Sequence, residues 1–251
     1  MKCVLITGAA RNTGLGMARL FAKRGWSVIC TSRSEAQAQE AARSVQAETG
    51  MPCLGIGHDI GDLSQTQPLF DRVMAAGMMP DSVILNAAAQ GLNCDPLTVP
   101  IQEWEAVIRA NVVGNFDIAR TFAREMVRRG QTGTIVFLGS ITYRNCNPDR
   151  SSYNASKGGI LSMTKALAVD LGQYGIRVNC LMPGPIHTER YDVLTEEVRR
   201  ARDAAVPIGR VSTAEDIAKA AYFLASDESG NASGTGLIID GGMDSLNAGR
   251  Y

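Results

Sequence analysis

Seven short apolar runs alternate with longer segments of helical periodicity almost to the end of the chain, and no other feature restricts the fold as much. The runs Cys3–Thr7, Ser27–Ser32, Pro52–Gly57, Ser82–Leu85, Thr134–Gly139, Arg177–Leu181 and Thr235–Asp240 have the length and apolar content of buried strands. Between them, Thr13–Arg24, Glu35–Thr49, Ser64–Ala76, Ile101–Arg129, Ser151–Tyr174 and Thr213–Ala225 read as helices. Strands separated by helices pair in parallel, with the helices covering both faces of the sheet. The expected architecture is therefore α/β, a doubly wound seven-stranded parallel sheet. No repeat or linker divides the chain, so residues 1–251 are expected to form one domain. The polar stretch from His187 to Pro207 lies between the sixth strand and the last helix and is predicted to form a short helical lid. Ligands of such sheets bind beyond the carboxyl ends of the strands.

The first of those ends has the chemistry of a phosphate site. Strand one runs into Thr7-Gly8-Ala9-Ala10-Arg11-Asn12-Thr13-Gly14, and a helix follows. Glycine permits a tight turn and close backbone approach, and a helix N-terminus offers free N–H groups to a pyrophosphate. The second strand ends in Thr31-Ser32-Arg33. Dinucleotide sites often carry an acid there for the adenosine ribose hydroxyls. Here Arg33, with Ser32 beside it, suits a 2′-phosphate, since a guanidinium binds phosphate bidentately. Arg11 supplies a second candidate clamp. The pattern favours NADP over NAD. After strand three, Asp59 and Ile60 are candidates for holding the adenine.

Tyr153 and Lys157 are four residues apart in Tyr153-Asn154-Ala155-Ser156-Lys157, so a helix brings them to one face. An ammonium beside a phenol stabilises the phenolate and makes the tyrosine a candidate general acid or base. Ser140 stands thirteen residues upstream, at the end of strand five.

Composition narrows the function classes. Lys+Arg and Asp+Glu are both 25, so the formal charge is zero and no basic bias points to nucleic acid. The N-terminus enters an apolar strand at once, which is too short for a signal peptide's apolar region, and no run of about 18 apolar residues predicts a membrane span. Cys3, Cys30, Cys53, Cys94, Cys146 and Cys180 are scattered without a metal-binding spacing, as expected of reduced thiols in a cytoplasmic protein.

Together these residues resemble the short-chain dehydrogenase/reductase family over nearly the whole chain, Lys2 to Gly242. The family's glycine signature is Thr-Gly-x3-Gly-x-Gly. Thr7, Gly8 and Gly14 match it, and Asn12 replaces the middle glycine. Asn is the non-glycine residue best suited to positive φ, so the turn is expected to survive. The family's Asn-Asn-Ala-Gly segment appears as Leu85-Asn86-Ala87-Ala88, with Asn86 and Ala87 matching. The resemblance gives Asn111, Ser140, Tyr153 and Lys157 the places of a catalytic tetrad. It assigns Pro183, Gly184, Ile186 and Thr188 to the nicotinamide end, and Ile239-Asp240-Gly241-Gly242 also fits.

The resemblance implies a Rossmann-type fold, NADPH as cofactor, no metal, and hydride transfer between nicotinamide and a carbonyl or secondary alcohol. In that scheme Tyr153 protonates the carbonyl oxygen, Lys157 supports it and holds the nicotinamide ribose, Ser140 bonds the substrate oxygen, and Asn111 holds a water that resupplies the proton. Small ketones or 3-oxoacyl thioesters are the first expectation. Oxidative action on a sugar or polyol is the second, and a catalytically silent NADP-binding regulator the third. The family also implies a homotetramer. Substrate-contacting segments are expected at Ile141–Arg150 and in the lid, whose charged residues include Glu189, Arg190, Glu196, Arg199 and Arg202. Gln90 and Asn93 are further candidates.

Overall fold

A computed structural model describes residues 1–246, the Arg190 side chain excepted; residues 247–251 of the expected domain lie outside the description. Its centre is a seven-stranded parallel sheet in the order β3-β2-β1-β4-β5-β6-β7. The strands are β1 (Cys3–Ile6), β2 (Ser27–Ser32), β3 (Cys53–Gly57), β4 (Ser82–Leu85), β5 (Gly133–Leu138), β6 (Ile176–Pro183) and β7 (Gly236–Ile239). The chain starts in the middle of the sheet, winds outward to β3, then returns to β4 and winds the other way. Where the order reverses, between β1 and β4, the loops diverge and leave a crevice.

Period-two alternation sends successive strand residues to opposite faces. In β1, Cys3 and Leu5 enter one core and Val4 and Ile6 the other. On the first face the sheet packs against α3 (Thr66–Ala75), α5 (Asn115–Arg128) and α6 (Ser151–Gly172) through Leu69, Val73, Ile118, Phe122 and Ile160. On the second, α1 (Asn12–Lys23), α2 (Glu35–Thr49) and α9 (Ala214–Ala225) contribute Met17, Phe21, Val45, Ile217 and Leu224. Both faces are dry, which is why the strands read as unbroken apolar runs.

Local chemistry sets the helix ends. The Ser34 hydroxyl accepts from Gln37 N–H at the start of α2, and Gly50 at φ 72° closes it. Thr213 and Asp216 form a reciprocal capping box on α9. The long helix predicted over Ile101–Arg129 is three pieces: α4 (Ile101–Ile108), a π-helical turn over Arg109–Gly114, and α5. Here tertiary contact overrides periodicity. A Cβ on Gly114 would sit 1.8 Å from the Ile60 carbonyl oxygen, so the helix is pressed against the turn after β3. The predicted lid folds as α7 (Glu189–Asp192) and α8 (Glu196–Ala204) over a small core of Tyr191, Val206 and Val211.

Candidate active site

The turn after β1 is shaped by backbone rather than by side chains. Gly8 adopts φ 67°, and a Cβ on Gly14 would lie 2.1 Å from the Gly8 carbonyl oxygen. Only glycine fits the second position. Asn12 adopts φ 49°, the left-handed conformation expected of a glycine substitute there. Its side chain turns to the start of α7, where Oδ1 accepts from Glu189 N–H at 3.2 Å. Arg11 occupies the N-cap position of α1 without a capping side-chain bond, and the first turn holds no acid. The positive end of α1 is therefore free for an anion. This cradle fits the pyrophosphate of a dinucleotide.

Asn86 braces the same turn. Its Nδ2 donates to the carbonyls of Thr7 (2.9 Å) and Gly8 (3.2 Å), while Ala87 N–H donates to Thr7 Oγ1 at 2.9 Å. The loops of β1 and β4 are thus stitched together across the crevice.

At the end of β2, Ser32 is half-buried and Arg33 is exposed. Neither Arg11 nor Arg33 takes part in an ion pair among the described residues. The nearest acid in sequence, Glu35, is already committed. It accepts from Arg72 Nη2 and Nη1 at 2.7 and 2.9 Å and from Gly57 N–H. The Arg72 guanidinium holds its carboxyl down at about 2. After β3, Asp59 Oδ1 accepts from Gly61 N–H at 2.8 Å, and the Ile60 side chain points into the core. Of that pair, Asp59 alone has a side chain outside the apolar core.

Ser140 follows the end of β5, half-buried, and its hydroxyl accepts from Thr142 N–H at 3.2 Å. Tyr153 lies in the first turn of α6, with the Lys157 Nζ 5.4 Å from its ring centroid. Lys157 is only 3% exposed, and Nζ donates to the Leu138 carbonyl at 2.6 Å, tying α6 to the end of β5. No carboxylate pairs with it among the described residues. A buried unpaired ammonium is costly, and proteins keep one chiefly where it has a task.

Asn111 is fully buried in the π-helical turn. Oδ1 accepts from Ala89 N–H (2.7 Å), and Nδ2 donates to the Ala89 carbonyl (2.9 Å) and to Ser156 Oγ (3.0 Å). Ser156 Oγ in turn donates to the Tyr153 carbonyl at 2.7 Å. Both amide hydrogens of Asn111 are therefore used within the protein. The side chain clamps the loop after β4 to α6, and only a lone pair of Oδ1 remains for a water. Sequence reasoning does not single out Ser156, because nothing in the sequence shows that it faces Asn111, 45 positions away.

Pro183 ends β6, and Gly184 N–H donates to the Ile239 carbonyl at 3.0 Å. Ile186 forms a parallel bridge with Ser212. Thr188 precedes α7, and its side chain makes no capping bond among the described residues. His187 is engaged with Asp192 at 2.6 Å on the exposed side. The charged residues Glu196, Glu197, Arg200 and Arg202 of α8 face solvent.

The segment Ile141–Arg150 lines a cavity of about 530 Å³ with Tyr143, Cys146, Asn147, Asp149, Arg150 and, from α6, Asn154. A second cavity, about 460 Å³, lies at the opposite end of the sheet beside Lys2, Trp26 and Arg177. Among the described residues no cluster of three or more His, Cys, Asp or Glu is arranged to hold a metal, and no helix is long and apolar enough to cross a membrane.

The doubly wound sheet thus carries a glycine turn that fits a pyrophosphate and a phenol beside a buried ammonium. The profile of a family described as enoyl-(acyl carrier protein) reductase matches residues 8–244. A 3-oxoacyl-[acyl-carrier-protein] reductase of Chlamydia muridarum is 33% identical over 244 residues, 96% of this chain and 97% of the other. A 3beta-hydroxysteroid dehydrogenase of Eggerthella lenta is 33% identical over 247 residues, covering 96% and 93%. Among solved structures, a putative gluconate dehydrogenase from Agrobacterium tumefaciens superposes with a TM-score of 0.91 at 27% identity, covering 98% and 97% of the two chains. The chain belongs to the short-chain dehydrogenase/reductase family of nicotinamide-dependent oxidoreductases.

Proposed function

We propose that this protein is an NADP(H)-dependent reductase of a ketone or 3-oxoacyl substrate, with Tyr153 as its proton donor. The observation that carries the reading is the buried, unpaired Lys157 beside Tyr153, one strand-end away from Ser140. When bound, the nicotinamide supplies the hydride to the carbonyl carbon. The chain's own residues do the rest. Tyr153 gives its hydroxyl proton to the carbonyl oxygen, and Lys157 steadies the negative charge left on the phenol. Ser140 hydrogen-bonds the substrate oxygen and gains strength as charge develops there. Asn111, through Ala89 and Ser156, fixes the loop and helix that carry these groups.

The preference for NADP(H) is supported by two exposed arginines without ion-pair partners among the described residues, Arg11 and Arg33, and by the engagement of Glu35 with Arg72. The roles of Pro183, Gly184, Ile186 and Thr188 at the nicotinamide end, and of residues 187–207 as a lid over one domain, belong to the same proposal. So does a cytoplasmic setting, which suits six cysteines without disulfides. A homotetramer completes it, favoured by apolar Phe116 and Val169 standing exposed on α5 and α6. A second reading, oxidation of a sugar acid or polyol, is favoured by the side chains of Asn147, Asp149 and Asn154 at the 530 Å³ cavity and by the name of the gluconate dehydrogenase neighbour.

Two measurements test this. Fluorescence titration of NADPH and NADH against wild type and Arg33→Ala should show tighter NADPH binding that the substitution weakens about 10- to 100-fold, leaving NADH unchanged. Equal binding of both cofactors overturns the NADP reading. Tyr153→Phe should lower turnover of 3-oxobutanoyl thioester or gluconate by about 10²- to 10⁴-fold with cofactor affinity retained; retained turnover removes Tyr153 from its role.

A further inference from the structure

Tyr153 has a second cation against its ring. The Arg150 guanidinium carbon lies 4.7 Å from the ring centroid, closer than the Lys157 ammonium at 5.4 Å. Arg150 is the N-cap residue of α6, three positions before Tyr153, and Lys157 follows four positions after it. The i, i+3 and i, i+4 spacings place all three on one helical face.

The guanidinium is held over the ring from outside its own helix. Nη2 donates to both the carbonyl and the side-chain Oε1 of Gln90, each at 2.8 Å. Gln90 directly follows Ala89, the residue that Asn111 grips by N–H and carbonyl. The Arg150 Nε is buried without a hydrogen-bond partner. No ion pair among the described residues includes Arg150. An arginine retained for fold alone would satisfy its donors or pair its charge. This one leaves Nε unmet and its charge without a carboxylate among the described residues, and its guanidinium lies against the Tyr153 ring.

We propose that Arg150 is a positioning residue for the proton-transfer step, acting through Tyr153. Its uncompensated charge attracts the negative charge that develops on the phenol oxygen, and Gln90 keeps it in place. The proposal rests on Tyr153 being the proton donor. A cation over a neutral ring is attracted only by the quadrupole. The attraction rises when the oxygen becomes an anion, so it acts on the difference between the two states. For a charge pair at half-buried groups, with allowance for solvent, the effect is on the order of tenfold.

Tetranitromethane nitrates phenolate rather than phenol, so it reads this effect without any substrate. Wild type, Arg150→Met and Arg150→Lys are treated at one pH, and nitration of Tyr153 is followed by peptide mass spectrometry, with the exposed Tyr174 as internal reference. Arg150→Met should slow nitration of Tyr153 about tenfold, and Arg150→Lys should recover most of the rate. If Arg150 only covers the ring, its removal exposes the tyrosine and nitration speeds up. A faster or unchanged rate overturns the proposal. Should Arg150→Met fail to fold, Arg150→Gln, which can still bond Gln90, carries the same expectation. Turnover of 3-oxobutanoyl thioester by Tyr153→Phe keeps the two ideas apart. If that variant stays active, the proton-donor reading falls, while the nitration rates still report whether Arg150 acts on the phenol.

Discussion

His58 gives this fold a sensitivity to acid that can be worked out in advance. It follows β3 with 3% of its surface exposed, and neither ring nitrogen has a hydrogen-bond partner. Burial pushes its ring below the ordinary 6.5, outweighing the attraction of Asp59, Asp62 and Asp117. The folded protein therefore keeps His58 neutral at a pH where the unfolded chain has taken up a proton. Stability associated with this residue is present above about 6.5 and is lost as pH falls below it. The loss between pH 7.5 and 5.5 is bounded by about 1.4 kcal/mol, the limit for a folded ring that takes up no proton in that range. In His58→Leu that loss should vanish. At pH 7.5 the variant should be as stable as wild type or more so by about 1 kcal/mol, because two unmet polar atoms leave the core. The assay is urea unfolding followed by circular dichroism at both pH values and one fixed protein concentration. Carboxylates that titrate in the same range cancel in the difference between variants. Equal losses in wild type and His58→Leu would refute the argument, since they would mean that the nearby aspartates keep the folded ring protonated.

Two other substitutions probe the site's frame. Gly14→Ala places a Cβ 2.1 Å from the Gly8 carbonyl, so it should destabilise the fold by about 1–3 kcal/mol and abolish NADPH binding in the same titration. Asn111→Leu removes both bonds to the Ala89 backbone and the one to Ser156 Oγ, which keeps its bond to the Tyr153 carbonyl. It should lower the urea midpoint by an amount equivalent to about 2–4 kcal/mol and reduce kcat more than cofactor affinity.

The relation of sequence to structure differs from element to element, and locality explains why. The bounds of α2 and of the strands Ser27–Ser32 and Ser82–Leu85 match the sequence reading to the residue. In α2, Ser34 and Gly50 mark the ends by their own backbone and side-chain chemistry, so no distant contact is needed. The alternation of strands and helices determined the doubly wound sheet for a similar reason, because each apolar run has to be buried on both faces. The four-residue spacing put Tyr153 and Lys157 on one face of a helix whatever the rest of the chain did. Asn12 was legible as a residue fit for positive φ, and the turn has that conformation.

Other features depend on residues far apart in sequence. At the π-helical turn over Arg109–Gly114 the Ile60 carbonyl packs close against Gly114, and no periodicity within the helix records that contact. Asn12 reaches Glu189, 177 positions away. Asn111 turned out to be a clamp because Ala89 and Ser156 come to it from two different elements. Lys157 is a buried charge because β5 closes over it, and Arg150 sits over Tyr153 because Gln90 holds it. Sequence patterns fix what neighbouring residues do to one another through short-range sterics and hydrogen bonds. Burial, and with it the strength of every charge in the site, is set by whichever distant parts of the chain exclude the water, and only the folded arrangement decides which those are.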